Sequence, residues 1–122
     1  MSDTLTDREL DLMNLLWRHG PSTVAEIHQR LTVDLAYTTV LSLMRTLESK
    51  GLVRRTKEGR AHRYAPALDR DQATGAAVRS LAGKFFRGSR ELLLLHLVST
   101  EKLTPKALER LERLLSERRE DE

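Results

Sequence analysis

The sequence of 122 residues contains no cysteine, which excludes disulfide bridges, thiolate metal sites and cysteine nucleophiles. It also lacks long apolar runs. The longest, Leu92 to Leu95, is far shorter than the roughly 20 residues that span a bilayer. The first ten residues, MSDTLTDREL, have neither the basic start nor the apolar stretch of a signal peptide. These absences predict a cytoplasmic protein that does not insert into membranes.

Signatures of catalysis and metal binding are missing as well. The sequence has no glycine-rich phosphate loop, no nucleophile elbow and no isolated pair of acids. The histidines, which are His19, His28, His62 and His96, do not have the spacing of a metal site. We therefore expect neither an enzyme nor a bound cofactor or metal.

Two helix starts are marked by capping boxes, in which a threonine is followed three residues later by a glutamate. The pairs are Thr6 with Glu9 and Thr23 with Glu26. Apolar residues then follow the helical period; they are Leu10, Met13, Leu16 and Trp17 after the first box and Val24, Ile27 and Leu31 after the second. A third helix is predicted from about Ala36 to Lys50, with Val40, Leu43, Met44 and Leu47 facing inward.

The period then changes from that of a helix to that of strands. Two short runs, Leu52 to Thr56 and Ala61 to Ala65, are joined by residues 57–60, where Gly59 suits a positive φ. Pro66 ends the second run. Helices follow again, and the predicted ranges are Asp69 to about Arg87, Ser89 to about Val98 and Thr104 to about Arg118.

This order of elements is that of a winged helix-turn-helix followed by helices. The predicted fold class is mainly α with a small β-hairpin. We expect a DNA-binding domain over residues 1–66 and a helical dimerisation domain over residues 67–122.

The charge of the chain is concentrated in the predicted hairpin. The formal net charge is only +3, yet residues 54–63 carry five basic side chains against Glu58 alone. The third helix is free of acids before Glu48, and short hydroxyl side chains on its outer face can approach base edges closely. Taken singly, either surface is equally consistent with an ordinary solvated face. Their combination favours DNA binding. The candidate contacts are Tyr37, Thr38, Thr39, Ser42 and Arg45 for the major groove and Arg54, Arg55, Lys57, Arg60 and Arg63 for phosphates.

The helix predicted from Ser89 is apolar around most of its circumference, so it needs partners on several sides. Three helices in about 50 residues bury too little surface to enclose it alone. Pairing of two subunits meets this need, whereas folding back onto the winged helix would leave a monomer. The candidate dimerisation residues are Phe85, Phe86, Leu92, Leu95, Leu108, Leu111 and Leu115.

Three segments resemble the penicillinase and methicillin-resistance repressors and the related copper-responsive repressors. They are LTDRELDLMNLLWRHGPSTVAEIHQRL, LAYTTVLSLMRTLESKGLV and EGRAHRYAP. The resemblance implies a homodimer that binds a palindromic double-stranded DNA operator and represses transcription. It further implies control of β-lactam-response genes, with release when a membrane sensor-protease signals cleavage of the repressor. The cysteines of the copper-sensing branch are absent, so copper control is not expected.

Two other functions fit a winged helix. One is a protein-interaction module in which the basic hairpin docks an acidic partner, and selective retention of an operator would distinguish DNA binding from it. The other is a small-ligand sensor of the multiple-antibiotic-resistance regulator type. Such regulators usually place helices before the winged helix, whereas this chain begins it within its first ten residues.

Overall fold

The computed structural model describes residues 5–121 and contains helices and three short strands in that range. The elements are α1 (Asp7–His19), β1 (Ser22–Thr23), α2 (Val24–Arg30), α3 (Tyr37–Ser49), β2 (Val53–Glu58), β3 (Ala61–Pro66), α4 (Arg70–Phe85), α5 (Arg90–Thr100) and α6 (Pro105–Glu120). This architecture confirms the predicted fold class. The chain divides into two compact units, the first ending at Leu81 and the second beginning at Ala82. The functional boundary between residues 66 and 67 stays a prediction.

Both predicted capping boxes form. In the first, the Thr6 hydroxyl accepts a hydrogen bond from the Glu9 backbone N–H at 3.2 Å, and the Glu9 carboxylate accepts from the Thr6 N–H at 2.8 Å. Thr23 and Glu26 repeat the same two bonds at 3.2 and 2.8 Å. Each box satisfies N–H groups that a helix start would otherwise leave without partners, so it defines where α1 and α2 begin.

The core of the first unit is built where α1, α2, α3 and the sheet meet. Its buried members are Leu12, Met13, Leu16, Val24, Ile27, Val40, Met44, Leu47, Val53 and Tyr64. Of the apolar residues that follow the helical period in α1, Leu10 is exposed, whereas Leu12, which that series did not include, is buried. The inward face of α1 starts at Glu9 and continues through Leu12 at the helical spacing of three and four residues.

The sheet has three antiparallel strands in the order β1-β3-β2. The two-residue strand β1, which the sequence did not predict, pairs Ser22 with Tyr64 and Thr23 with Arg63. The strands of the hairpin are longer than predicted and leave only Gly59 and Arg60 between them, with Gly59 at φ +62°. Residues 53–66, which comprise β2, β3 and this turn, form the wing.

The start of α4 is joined to α1 within the first unit. The indole N–H of Trp17 donates to the carbonyl of Leu68 at 3.0 Å. The Arg70 guanidinium lies 4.8 Å from the centre of the Trp17 ring and donates to the Asn14 side chain at 2.8 Å. Trp17 therefore links α1 to the segment that follows the wing.

The second unit has a well-defined local structure but buries few side chains. Ser89 caps α5, and Thr104 caps α6 with Pro105 at its first position. Ala82 and Leu93 are buried. Most apolar side chains of α5 and α6 are exposed, and Phe85 before them is 74% exposed.

Candidate nucleic-acid interface

The outer face of α3 is presented as the sequence predicts. Val40, Met44 and Leu47 anchor the helix in the core. The opposite face is exposed, and it holds Tyr37, Thr38, Thr39, Ser42 and Arg45. This face combines short hydroxyl groups with one guanidinium and has no carboxylate, so it is sterically and electrostatically open to a polyanion.

The N-terminus of α3 differs from those of α1 and α2. Its N-cap residue is Ala36, which has no side-chain oxygen to accept from the helix N–H groups. Helix starts without a capping side chain leave these groups free for an anion such as a phosphate. This uncapped helix start was not predicted from the sequence, although Ala36 stands between Leu35 and Tyr37.

The turn before α3 is held by His28 from α2. The His28 Nε2 atom lies 2.8 Å from the carbonyl oxygen of Leu35, and its ring meets that of Tyr37 edge to face with centroids 5.8 Å apart. Tyr37 is still 46% exposed. The contact orients an exposed aromatic ring at the start of the presented face.

The other end of α3 is tied to α1. The Lys50 ammonium donates to both carboxylate oxygens of Glu9, at 2.8 and 2.9 Å, and Glu9 is only 2% exposed. Burial raises the pKa of Glu9, but the hydrogen bonds from Lys50 and Thr6 and the Lys50 charge outweigh it, so the pKa lies below its ordinary value. This ion pair was not predicted from the sequence. Glu9 stands three, four and seven residues before Leu12, Met13 and Leu16, which marked it as inward-facing.

The wing carries less unpaired positive charge than its composition indicates. Arg54, Lys57 and Arg60 are exposed, and within residues 5–121 they form no ion pair. Arg55, in contrast, pairs with Glu48 of α3 at 3.0 Å. Arg63 is half-buried and pairs with two carboxylates.

The partners of Arg63 come from three places in the chain. Its guanidinium donates to the Pro21 carbonyl at 3.0 Å, to the Glu26 carboxylate at 3.1 Å and to the Glu58 carboxylate. The structure therefore brings four of the five predicted wing cations to an exposed surface and holds the fifth at the junction of the wing with α2.

Residues 5–121 contain neither a metal-binding cluster nor a membrane-spanning helix. No group of three or more histidine or acidic side chains in this range is placed to hold a metal ion. None of the helices described there has the length and apolarity needed to cross a bilayer.

A third helix that presents hydroxyl side chains and no acid before Glu48, beside a cationic antiparallel hairpin, defines a winged helix-turn-helix DNA-binding protein. The profile of the penicillinase repressor family matches residues 5–117. The chain belongs to this family and is a DNA-binding transcriptional repressor. The family consists of regulators rather than enzymes, and neither alternative function is favoured.

Individual relatives agree with this assignment. The chain is 43% identical over 98 residues to the transcriptional regulator BlaI of Mycobacterium tuberculosis, a match that covers 77% of this chain and 71% of the relative. It also resembles the solution structure of the DNA-binding domain of the repressor BlaI, with a TM-score of 0.52, 28% identity and coverage of 56% of this chain and 85% of that one. The monomeric form of Bacillus licheniformis BlaI in complex with the blaP half-operator has a TM-score of 0.50 at the same identity and coverage.

Proposed function

We propose that this chain represses transcription as a homodimer bound to a palindromic operator, with α3 in the major groove and the wing along the phosphate backbone. The observation that carries the proposal is the hydroxyl-lined face of α3 beside Arg54, Lys57 and Arg60, which form no ion pair within residues 5–121. Two surfaces of different chemistry suit the two tasks of a DNA reader, because base contacts specify sequence whereas phosphate contacts position the protein.

The roles within this surface follow from side-chain chemistry. Threonine and serine hydroxyls can form hydrogen bonds with base edges, and the threonine methyl can make an apolar contact with the thymine methyl. Arg45 can bind guanine with two hydrogen bonds. Arg54, Lys57 and Arg60, together with Arg55, neutralise phosphates, which gives sequence-independent affinity. Arg55 first has to give up or share its ion pair with Glu48. The half-operator complex of a relative supports one winged helix for each half-site.

Dimerisation through the second unit is supported by its exposed apolar surface. Phe85, Leu92, Leu95, Leu108 and Leu115 are exposed, while Phe86 and Leu111 are half-buried. A protein of this size rarely leaves so much apolar surface in water unless it is an interaction site. Two linked readers multiply their affinities through effective concentration. The half-sites are then expected about one turn of DNA, roughly 34–36 Å, or a multiple of it apart.

The regulated genes and the inducing signal are inferred from kinship. Membership of the penicillinase repressor family supports control of β-lactam-response genes in the cytoplasm, where the operator lies. Relief by cleavage, signalled by a membrane sensor-protease, is the corresponding hypothesis for induction. Because the half-sites act together, any event that separates the subunits lowers operator affinity.

Selection of binding sequences from a random DNA pool, combined with sedimentation of the free protein, tests the proposal. We expect an inverted repeat as the selected motif and a mass of two chains at micromolar concentration. A motif without two-fold symmetry, or single chains only, would contradict it. Exposure of the host to a β-lactam, followed by immunoblotting for a shortened chain, tests the induction hypothesis separately.

A further inference from the structure

The Arg63 cluster, which comprises Arg63, Glu26, Glu58 and the carbonyl of Pro21, joins the wing to the helix-turn-helix. We propose that Arg63 is a positioning residue that holds the wing in its DNA-binding orientation and is not itself a phosphate contact. The inference rests on the proposed function, since it concerns how the wing is presented to DNA.

The outer part of the wing needs such a support. The third strand, β1, reaches only as far as the pair Thr23 and Arg63, so beyond this pair β3 has β2 as its single neighbour. An isolated two-stranded hairpin is marginally stable in water. Lys57 and Arg60, two of the unpaired cations, lie in this two-stranded part.

The contacts of Arg63 act on this weak part of the wing. Glu58 stands opposite Ala61 in the ladder while Arg63 stands opposite Thr56, so the Arg63–Glu58 pair runs diagonally across the two strands. It closes the hairpin just before the turn. A guanidinium can serve several acceptors at once because its N–H groups form a planar fork.

Glu26 connects the same guanidinium to α2. Its Oε1 atom accepts from the Thr23 backbone N–H at 2.8 Å and from Arg63 Nη1 at 3.1 Å. The Thr23 N–H foremost, and then the Thr23 hydroxyl and the Arg63 and Arg30 charges, hold the pKa of Glu26 below its ordinary value despite partial burial. One oxygen therefore caps α2 and anchors the wing.

The charge balance of the cluster argues against a phosphate contact. One guanidinium stands between two carboxylates, so the cluster has a net negative charge. A phosphate would have to displace one of these carboxylates. Arg54, Lys57 and Arg60 meet no such competition in residues 5–121.

Glu58→Ala in the full-length protein distinguishes the two roles by the sign of its effect. If Arg63 contacts phosphate, loss of the competing acid tightens operator binding and makes the salt dependence steeper. If Arg63 positions the wing, Glu58→Ala removes the diagonal ion pair of the hairpin, and fewer chains hold the wing in its DNA-binding orientation. Operator binding then weakens, because the apparent affinity falls with the fraction of chains in that orientation. We expect a weakening of about threefold or more at an unchanged salt slope.

Glu48→Ala is the matched control. It removes the same charge from the same domain and frees Arg55 from its ion pair, but it leaves the Arg63 cluster intact. We expect operator affinity equal to or higher than that of the wild type. Operator affinity measured by fluorescence anisotropy across a salt series gives both the affinity and the slope.

Amide hydrogen exchange of the free protein tests the cluster without DNA. Two variants weaken the cluster: Glu58→Ala, and Arg63→Lys, which keeps the positive charge but loses the planar fork of guanidinium N–H groups. In both, the amides of residues 57–62 should exchange about tenfold faster, while the exchange rates of the α1 amides stay unchanged. Unchanged exchange in the wing, or unchanged or tighter operator binding by Glu58→Ala, would overturn the inference. Failure of the wild type to bind any operator would instead overturn the proposed function. The exchange result would still stand, because it is measured on the free protein.

Discussion

The ion pair between the buried Glu9 carboxylate and Lys50 holds α3 against α1, and its removal should destabilise the protein in a pH-dependent way. Lys50→Met removes the ammonium and keeps much of the apolar stem. Glu9, which is 2% exposed in the wild type, then keeps only the hydrogen bonds with Thr6 of the partners that lower its pKa. An uncompensated charge in that position is costly because water cannot replace the lost partner.

The magnitude follows from burial and geometry. Breaking a fully buried pair by removing one partner costs about 3–5 kcal/mol. Here the Lys50 side chain is 26% exposed, and Glu9 keeps its hydrogen bond with the Thr6 N–H at 2.8 Å. We therefore expect the free energy of unfolding at pH 7 to fall by about 2–3 kcal/mol.

The sign of the pH dependence is set by the pKa of Glu9. In the wild type this pKa is depressed, so the stabilisation is present above the ordinary value of 4.5 and is lost as pH falls through the folded-state pKa. Lys50→Met removes the hydrogen bonds and the charge of Lys50 while burial of Glu9 remains, so the pKa of Glu9 rises relative to the wild type. Protonation of Glu9 as pH falls then removes the uncompensated charge. The difference between the two proteins should therefore shrink on going from pH 7 to pH 3.5.

Urea unfolding at both pH values, followed by the fluorescence of the single tryptophan, measures this difference. The protein concentration must be the same throughout, because association stabilises the folded state. Lys102→Met, at an exposed lysine, is the control and should unfold like the wild type. Equal stability of Lys50→Met and wild type at pH 7, or the same deficit at both pH values, would refute the reasoning.

Three other variants test the DNA and subunit interfaces. Arg60→Ala should weaken binding to all sequences and flatten the salt slope by about one unit per wing, and an unchanged slope in a salt titration would remove Arg60 from the phosphate contacts. Thr39→Ala should change which base is preferred at one position of each half-site, by about 1–3 kcal/mol, and an unaltered motif in a binding selection would contradict a base contact. Leu95→Asp should give single chains in sedimentation and lower affinity for the full palindrome more than for a half-site, whereas an intact dimer would exclude this residue from the interface.

Much of the presented surface was predictable because its signals are local. The exposed face of α3 follows from helical periodicity once Val40, Met44 and Leu47 are assigned to the core. The wing follows from the change of period and from Gly59. What the sequence overestimated was the free charge of the wing, because counting residues cannot show that Arg55 and Arg63 have carboxylate partners.

By itself, the sequence determined where α1 and α2 start and which side of α3 faces the core, since capping boxes and periodicity involve residues three or four positions apart. Only the tertiary structure decided which charges meet. Arg63 reaches Glu26 across 37 positions, and Lys50 reaches Glu9 across 41. Such pairs depend on how the helices and strands pack against each other. Any carboxylate can pair with a given cation, and packing decides which one lies close enough to do so. The strand β1 has the same origin, since two residues form a strand only where a neighbouring strand is already in place.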